Sequence, residues 1–140
     1  MAGRRMPQLL PSKAFPATPW AVRRCKEREY GQTAEPSWRA IDWQDHLSWI
    51  EVKGRPANHV DIGEGDLTPT VLVHGLGGQW QNYLENVPRL SQDRRVVLPD
   101  LPGFGCSPMP NEKITIPFYA DWLAEFLDKV GLERVNLVGH

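Results

Sequence analysis

Val71-Leu72-Val73-His74-Gly75-Leu76-Gly77-Gly78 carries the chain from a β-branched apolar run directly into a glycine-rich turn. A short buried strand that stops so abruptly, with an apolar helical pattern after it, is the mark of a strand-loop-helix unit. Downstream, Trp80, Tyr83, Leu84 and Val87 recur at i, i+3, i+4 and i+7. That spacing predicts one apolar helix face, with Pro88 helping to end the helix. Residues 95–98 (Arg-Val-Val-Leu) read as the next buried strand, closed by Pro99-Asp100 and a Gly/Pro-rich loop through Pro108.

Working outward, Thr115 is placed to cap a helix with Pro117 in its first turn and Phe118, Trp122, Leu123, Phe126, Leu127 and Val130 as its buried stripe. Gly131 stops it, and residues 135–138 form a last strand leading into Gly139-His140. Upstream, residues 47–52 are strand-like and residues 58–62 alternate with period 2. Gly54-Arg55 between them has the Gly-first chemistry of a two-residue turn, so the two runs predict an antiparallel hairpin. The fold class is therefore α/β: an opening hairpin, then parallel strands with helices on the faces. Ligands in such sheets sit beyond the carboxyl ends of the strands, which directs attention to the loops starting at His74, Asp100 and Gly139.

Composition narrows the classes. The chain has 140 residues, 41% of them hydrophobic and 9% aromatic, with 16 basic against 17 acidic side chains. That is enough for one core and excludes collagen-like, coiled-coil and wholly disordered chains. No apolar run approaches the ~18 residues of a membrane span. Charge is uneven: residues 1–40 hold eight basic and three acidic residues, and the remainder eight and fourteen. With five prolines and no sustained period, residues 1–40 read as a basic, Pro-rich, poorly ordered arm, and residues 41–140 as the folded part. The arm is read as a solvated tail, with no nucleic-acid or membrane partner. Cys25 and Cys106 make no disulfide framework and are expected as free thiols in a reducing, cytoplasmic compartment.

Several chemistries fail on spacing. A dinucleotide fingerprint starting at Gly75 needs glycine where Trp80 stands, and no Gly loop is followed by Lys-Ser or Lys-Thr as a phosphate loop requires. His46, His59, His74 and His140 have no metal-ligand spacing with Cys, Asp or Glu, so no metal is expected. Cys106 has no histidine near it in sequence, which argues against a cysteine nucleophile.

The three segments together, the run from Val71 to Gly78, Leu98-Pro99-Asp100-Leu101-Pro102-Gly103-Phe104-Gly105-Cys106-Ser107, and Asn136-Leu137-Val138-Gly139-His140, resemble the N-terminal half of an α/β-hydrolase fold enzyme. The likeness covers about residues 45–140. It implies a cofactor-free hydrolase of a small-molecule substrate, with the backbone N–H of Leu76 as one oxyanion donor and Gly75 and Gly77 shaping its loop. The same likeness makes His74 and Asp100 loop-fixing rather than catalytic, and Trp80 and Phe104 candidates to line the substrate site. In the family the nucleophile elbow runs Gly-x-Ser-x-Gly, and this sequence carries its first two residues, Gly139-His140. The expectation is an incomplete domain, inactive alone, from a serine-type enzyme acting on an ester or related carbonyl of a small apolar substrate. Two alternatives stand beside it. One is an epoxide hydrolase or haloalkane dehalogenase with an Asp nucleophile; the other is a non-catalytic truncated product or interaction module using the basic arm.

Overall fold

The computed structural model describes residues 35–140. The expectations for residues 1–34, Cys25 among them, lie outside the described residues. A five-stranded mixed sheet runs in the order β1-β2-β4-β3-β5, with β1 at Leu47–Val52, β2 at Arg55–Ile62, β3 at Thr70–Val73, β4 at Val96–Pro99 and β5 at Asn136–Gly139. The hairpin joins the rest through an antiparallel β2–β4 pairing, whereas β3 pairs in parallel with both β4 and β5.

Where the hairpin turns differs from the sequence reading. Val52 pairs with Arg55, so the two-residue loop is Lys53-Gly54 rather than Gly54-Arg55, and both residues have positive φ (50° and 70°). Two successive left-handed residues are the geometry of a type I′ turn, whose twist matches that of the strands. Lys53 adopts it while its N–H donates to Glu125 of the helix below. Strand β2 also starts three residues earlier than its alternation indicated. Pro56 sits where β2 pairs with β1 alone, so its missing N–H leaves the β2–β4 ladder intact.

The apolar face predicted from Trp80 to Val87 exists, but not as one helix. A 3-10 turn at Trp80–Tyr83 is followed by the short helix α1 at Val87–Leu90, and Pro88 lies in the first turn of α1 instead of ending a helix. A continuous helix would need an N–H that Pro88 lacks, so the chain breaks and uses the proline where an N–H is spare. Trp80 and Val87 are nonetheless buried in one cluster with Val60, Leu72, Val96 and Leu98, and Tyr83 and Leu84 pack against it. Helix α2 at Ile116–Lys129 covers the other face. Thr115 caps it by accepting the Phe118 N–H at 3.2 Å, and Trp122 and Phe126 stack at 5.3 Å over Ala57, Val71, Val97 and Leu101. Arg95 fastens this layer: it holds Asp61 of β2 in a two-point ion pair (2.9 and 2.6 Å) and donates to the Val130 carbonyl just after α2.

From β3 the chain goes to β4 on one side and later returns to β5 on the other. The loop leaving β3 therefore turns away from β5, which opens a crevice at their carboxyl ends.

Candidate active site

That crevice is an open cleft of about 370 Å³, lined by His74, Gly75, Leu76, Leu101, Phe104, Ile116, Tyr119 and His140. All three loops picked out by sequence reach it. His140 stands beside Gly75: its N–H donates to the Val73 carbonyl at 3.1 Å, and a Cβ built on Gly75 would meet the His140 carbonyl oxygen at 2.7 Å. A side chain at position 75 would thus collide with the end of β5.

Residues 75–78 close a tight turn in which the Gly78 N–H donates to the Gly75 carbonyl at 3.0 Å. Gly77 has a φ of +75°, the left-handed conformation that a side chain disfavours. At the head of the turn, Leu76 exposes 96% of its surface. Among the described residues nothing accepts the Leu76 N–H, and Leu76 is one of the residues that line the cleft.

His74 is buried and uses both ring nitrogens. Nε2 accepts the Leu101 N–H at 3.0 Å, and Nδ1 lies 2.9 Å from the Gly75 carbonyl, so the bonding pattern assigns the proton to Nδ1. The ring is edge-on to Phe104 at 5.6 Å. Both nitrogens being occupied by backbone groups, His74 fixes the loop and has no free nitrogen for a reacting proton.

Asp100 is fully buried. Its Oδ1 accepts the Trp80 N–H at 2.8 Å, and its Oδ2 accepts from Asn58 Nδ2 at 2.8 Å and from the Cys106 N–H at 2.9 Å. The Ser107 hydroxyl donates to the Asp100 carbonyl at 2.8 Å and accepts the Asn58 N–H at 3.0 Å. Both carboxylate oxygens of Asp100 and the Ser107 hydroxyl are thereby satisfied, as burial demands.

The two aromatic candidates part company. Phe104 lines the cleft, whereas the Trp80 ring lies in the core, tilted on Trp43 at 5.0 Å, and belongs to the opposite face of the sheet. Only the Trp80 backbone N–H serves the site region. Sequence reasoning missed Ile116 and Tyr119, which form the cleft wall at the start of α2. Tyr119 precedes Trp122 and Phe126 by three and seven residues, a helical spacing that marks it as inward-facing. Its hydroxyl donates to the Pro102 carbonyl, which leaves the ring as the surface shown to the cleft. Burial pushes the Tyr119 phenol above its ordinary value. Among the described residues no three His, Cys, Asp or Glu side chains gather as a metal site, and no helix is long and apolar enough to cross a membrane.

A sequence profile described as the alpha/beta hydrolase fold matches residues 68–140. The chain belongs to the α/β-hydrolase fold family. It is 40% identical over 91 residues to a 2-hydroxy-6-oxo-2,4-heptadienoate hydrolase from Pseudomonas putida, an alignment covering 62% of this chain and 32% of that one. To a haloalkane dehalogenase from Psychrobacter cryohalolentis it is 31% identical over 83 residues, covering 57% and 27% respectively. Among solved structures, a meta-cleavage product hydrolase from Pseudomonas fluorescens superposes with a TM-score of 0.63 at 30% identity, over 69% of this chain and 36% of that one. Against curated relatives such as these the α/β-hydrolase chain spans about a quarter to a third of their length.

Proposed function

We propose that this chain supplies the oxyanion-loop side of a serine-type hydrolase acting on an ester or related carbonyl of a small, apolar molecule. The observation that carries the reading is the unpartnered Leu76 N–H at the mouth of a cleft walled by Leu101, Phe104, Ile116 and Tyr119. A carbonyl oxygen gains negative charge as a nucleophile attacks, and a donor already aimed at it is worth roughly 2.7–4 kcal/mol in the transition state. Gly75 and Gly77 give the loop its shape, and Phe104 is the substrate wall. In this reading Gly139-His140 opens the nucleophile elbow, and the attacking serine is the residue encoded next. Its N–H-bearing neighbour completes the oxyanion hole. Residues 41–140 then form the N-terminal part of the hydrolase domain and residues 1–40 a basic arm. The exposed thiol of Cys106 suits a reducing, cytoplasmic setting.

A second reading, an Asp nucleophile opening epoxides or displacing halide, rests on the relationship to the Psychrobacter dehalogenase. What favours serine is position 76: Leu76 offers its N–H and no polar side chain to hold a halide. The deciding experiment reads the codon after His140 and treats the gene product with a fluorophosphonate probe. Labelling at a serine in that position is the expected result. An Asp codon, or a folded enzyme that resists the probe and opens epoxides, overturns the serine assignment. Residues 1–140 by themselves are expected to give no turnover of p-nitrophenyl esters, since losing the nucleophile of a triad lowers kcat by about a millionfold.

A further inference from the structure

Asp100 has more acceptor work than a loop tether requires. Three donors converge on its two oxygens, from three separate places in the chain: Trp80 after β3, Asn58 in β2 and Cys106 after β4. Among the described residues no cation pairs with it, so these hydrogen bonds alone offset the burial of the charge. An asparagine in its place would have one acceptor oxygen and would turn an NH2 group towards N–H donors. The fit is close as well, because a Cβ on Gly105 would overlap the carboxylate.

The position of the Trp80 N–H gives this arrangement a catalytic consequence. Trp80 lies four residues after Leu76, and the Gly78-to-Gly75 bond stiffens the span between them. On the other side, Cys106 lies two residues after Phe104, whose N–H is held by the Leu101 carbonyl at 2.9 Å. The same carboxylate therefore grips both the loop that carries the backbone donor and the loop that carries the cleft wall. His74 returns the connection by accepting the Leu101 N–H. We propose that Asp100 is the positioning residue of the oxyanion loop, locking the Leu76 donor and the Phe104 wall into one unit so that neither moves without the other. The catalytic side of this inference rests on the oxyanion reading of Leu76; the mechanical side does not.

Hydrogen exchange followed by mass spectrometry on the 140-residue chain tests the mechanical side, with residues 74–82 and 100–108 as the segments compared. Asp100→Asn is expected to speed exchange of both segments by about 10-fold or more relative to the β1–β2 hairpin. Leu132→Ala, in the core just beyond the end of α2, destabilises the core without that selectivity. Acceleration confined to 100–108, or spread evenly over the whole chain, overturns the proposal. Should Asp100→Asn fail to fold, exchange of the unaltered chain in rising urea decides: the two segments opening together supports the unit, and opening at separate urea concentrations overturns it. In the full-length enzyme that extends past His140, Asp100→Asn should lower kcat by about 10-fold to 100-fold, the signature of a displaced transition-state donor, with a smaller rise in KM from the loosened Phe104 wall. Equal kcat overturns the catalytic side. Failure of fluorophosphonate labelling strikes the serine chemistry and leaves the exchange result standing.

Discussion

The imidazole of His74 accepts the backbone N–H of Leu101 at 3.0 Å, joining residues 27 apart in sequence at the carboxyl ends of β3 and β4. Leu101 is itself buried, so its N–H has no water to turn to when the ring is removed. His74→Phe keeps an aromatic edge against Phe104 and deletes only the nitrogens. The expected loss is about 1–3 kcal/mol of unfolding free energy, the cost of a buried unsatisfied donor. Urea denaturation measures it, and a loss within error of zero would mean that the amide finds another acceptor.

Gly77 and Gly105 are both left-handed, with φ of +75° and +53°, yet their surroundings differ completely. A Cβ on Gly77 meets nothing within 4 Å, whereas one on Gly105 runs into the Asp100 carboxylate. Gly77→Ala should cost only the conformational penalty, about 1–2 kcal/mol. Gly105→Ala should cost distinctly more, because the carboxylate must release one of its donors to make room. Thermal melts of the two variants side by side check the order, and equal losses would show that the knot around Asp100 is loose enough to yield.

Much of this was legible in the sequence because local chemistry and global fold agree. Thr115, Pro117 and Gly131 punctuate α2 where their backbone preferences require, and the run from Val71 to Gly78 locates both β3 and the loop after it. The misplaced turn at Lys53-Gly54 has a physical cause: a lysine in the left-handed region is uncommon, and it is held there by strand register and by the Glu125 contact, neither of which is local. Trp80 misled for a similar reason. Nearness in sequence to a glycine loop says which loop a residue joins, while the side of the sheet its ring takes follows the apolar face it shares with Tyr83, Leu84 and Val87. Tyr119 shows the reverse, a cleft residue hidden in a helix whose apolar stripe looked purely structural.

Strand β5 pairs with β3 on one side and with none of the described residues on the other, and Leu137 and Val138 expose 55% and 44% of their surface on its two faces. A free strand edge with apolar residues on both sides templates pairing with another chain. The 140-residue chain should therefore associate as its concentration rises, and Leu137→Lys should weaken that association by placing a charge on the edge. Sedimentation velocity across a dilution series reads both. A monomer at all concentrations, or association untouched by the lysine, would remove β5 as the contact.

His59 carries a pH dependence that the cleft does not. It sits buried in β2, edge-on to Phe126 at 5.3 Å, and its Nδ1 has no hydrogen-bond partner among the described residues. Burial lowers its pKa from the ordinary 6.5; Asp61 opposes the shift, as does a backbone hydrogen bond at Ala57, and Arg95 adds to it. The unfolded chain thus takes up a proton near pH 6.5 that the folded chain still refuses. Stability is complete above that pH and declines as pH falls from 6.5 towards the lowered folded-state value. Asp93, whose carboxyl is held below 3.8 chiefly by its hydrogen bond from Arg94, acts in a separate and more acidic window. His59→Leu removes the buried titrating group while keeping the site apolar, so its unfolding free energy should change less between pH 7 and 5 than that of the unaltered chain (roughly, the span over which an ordinary histidine charges). Urea titrations at stepped pH provide the comparison. Parallel pH profiles for the two proteins would show that His59 reaches a proton acceptor or water in the folded state and that the acid sensitivity arises elsewhere.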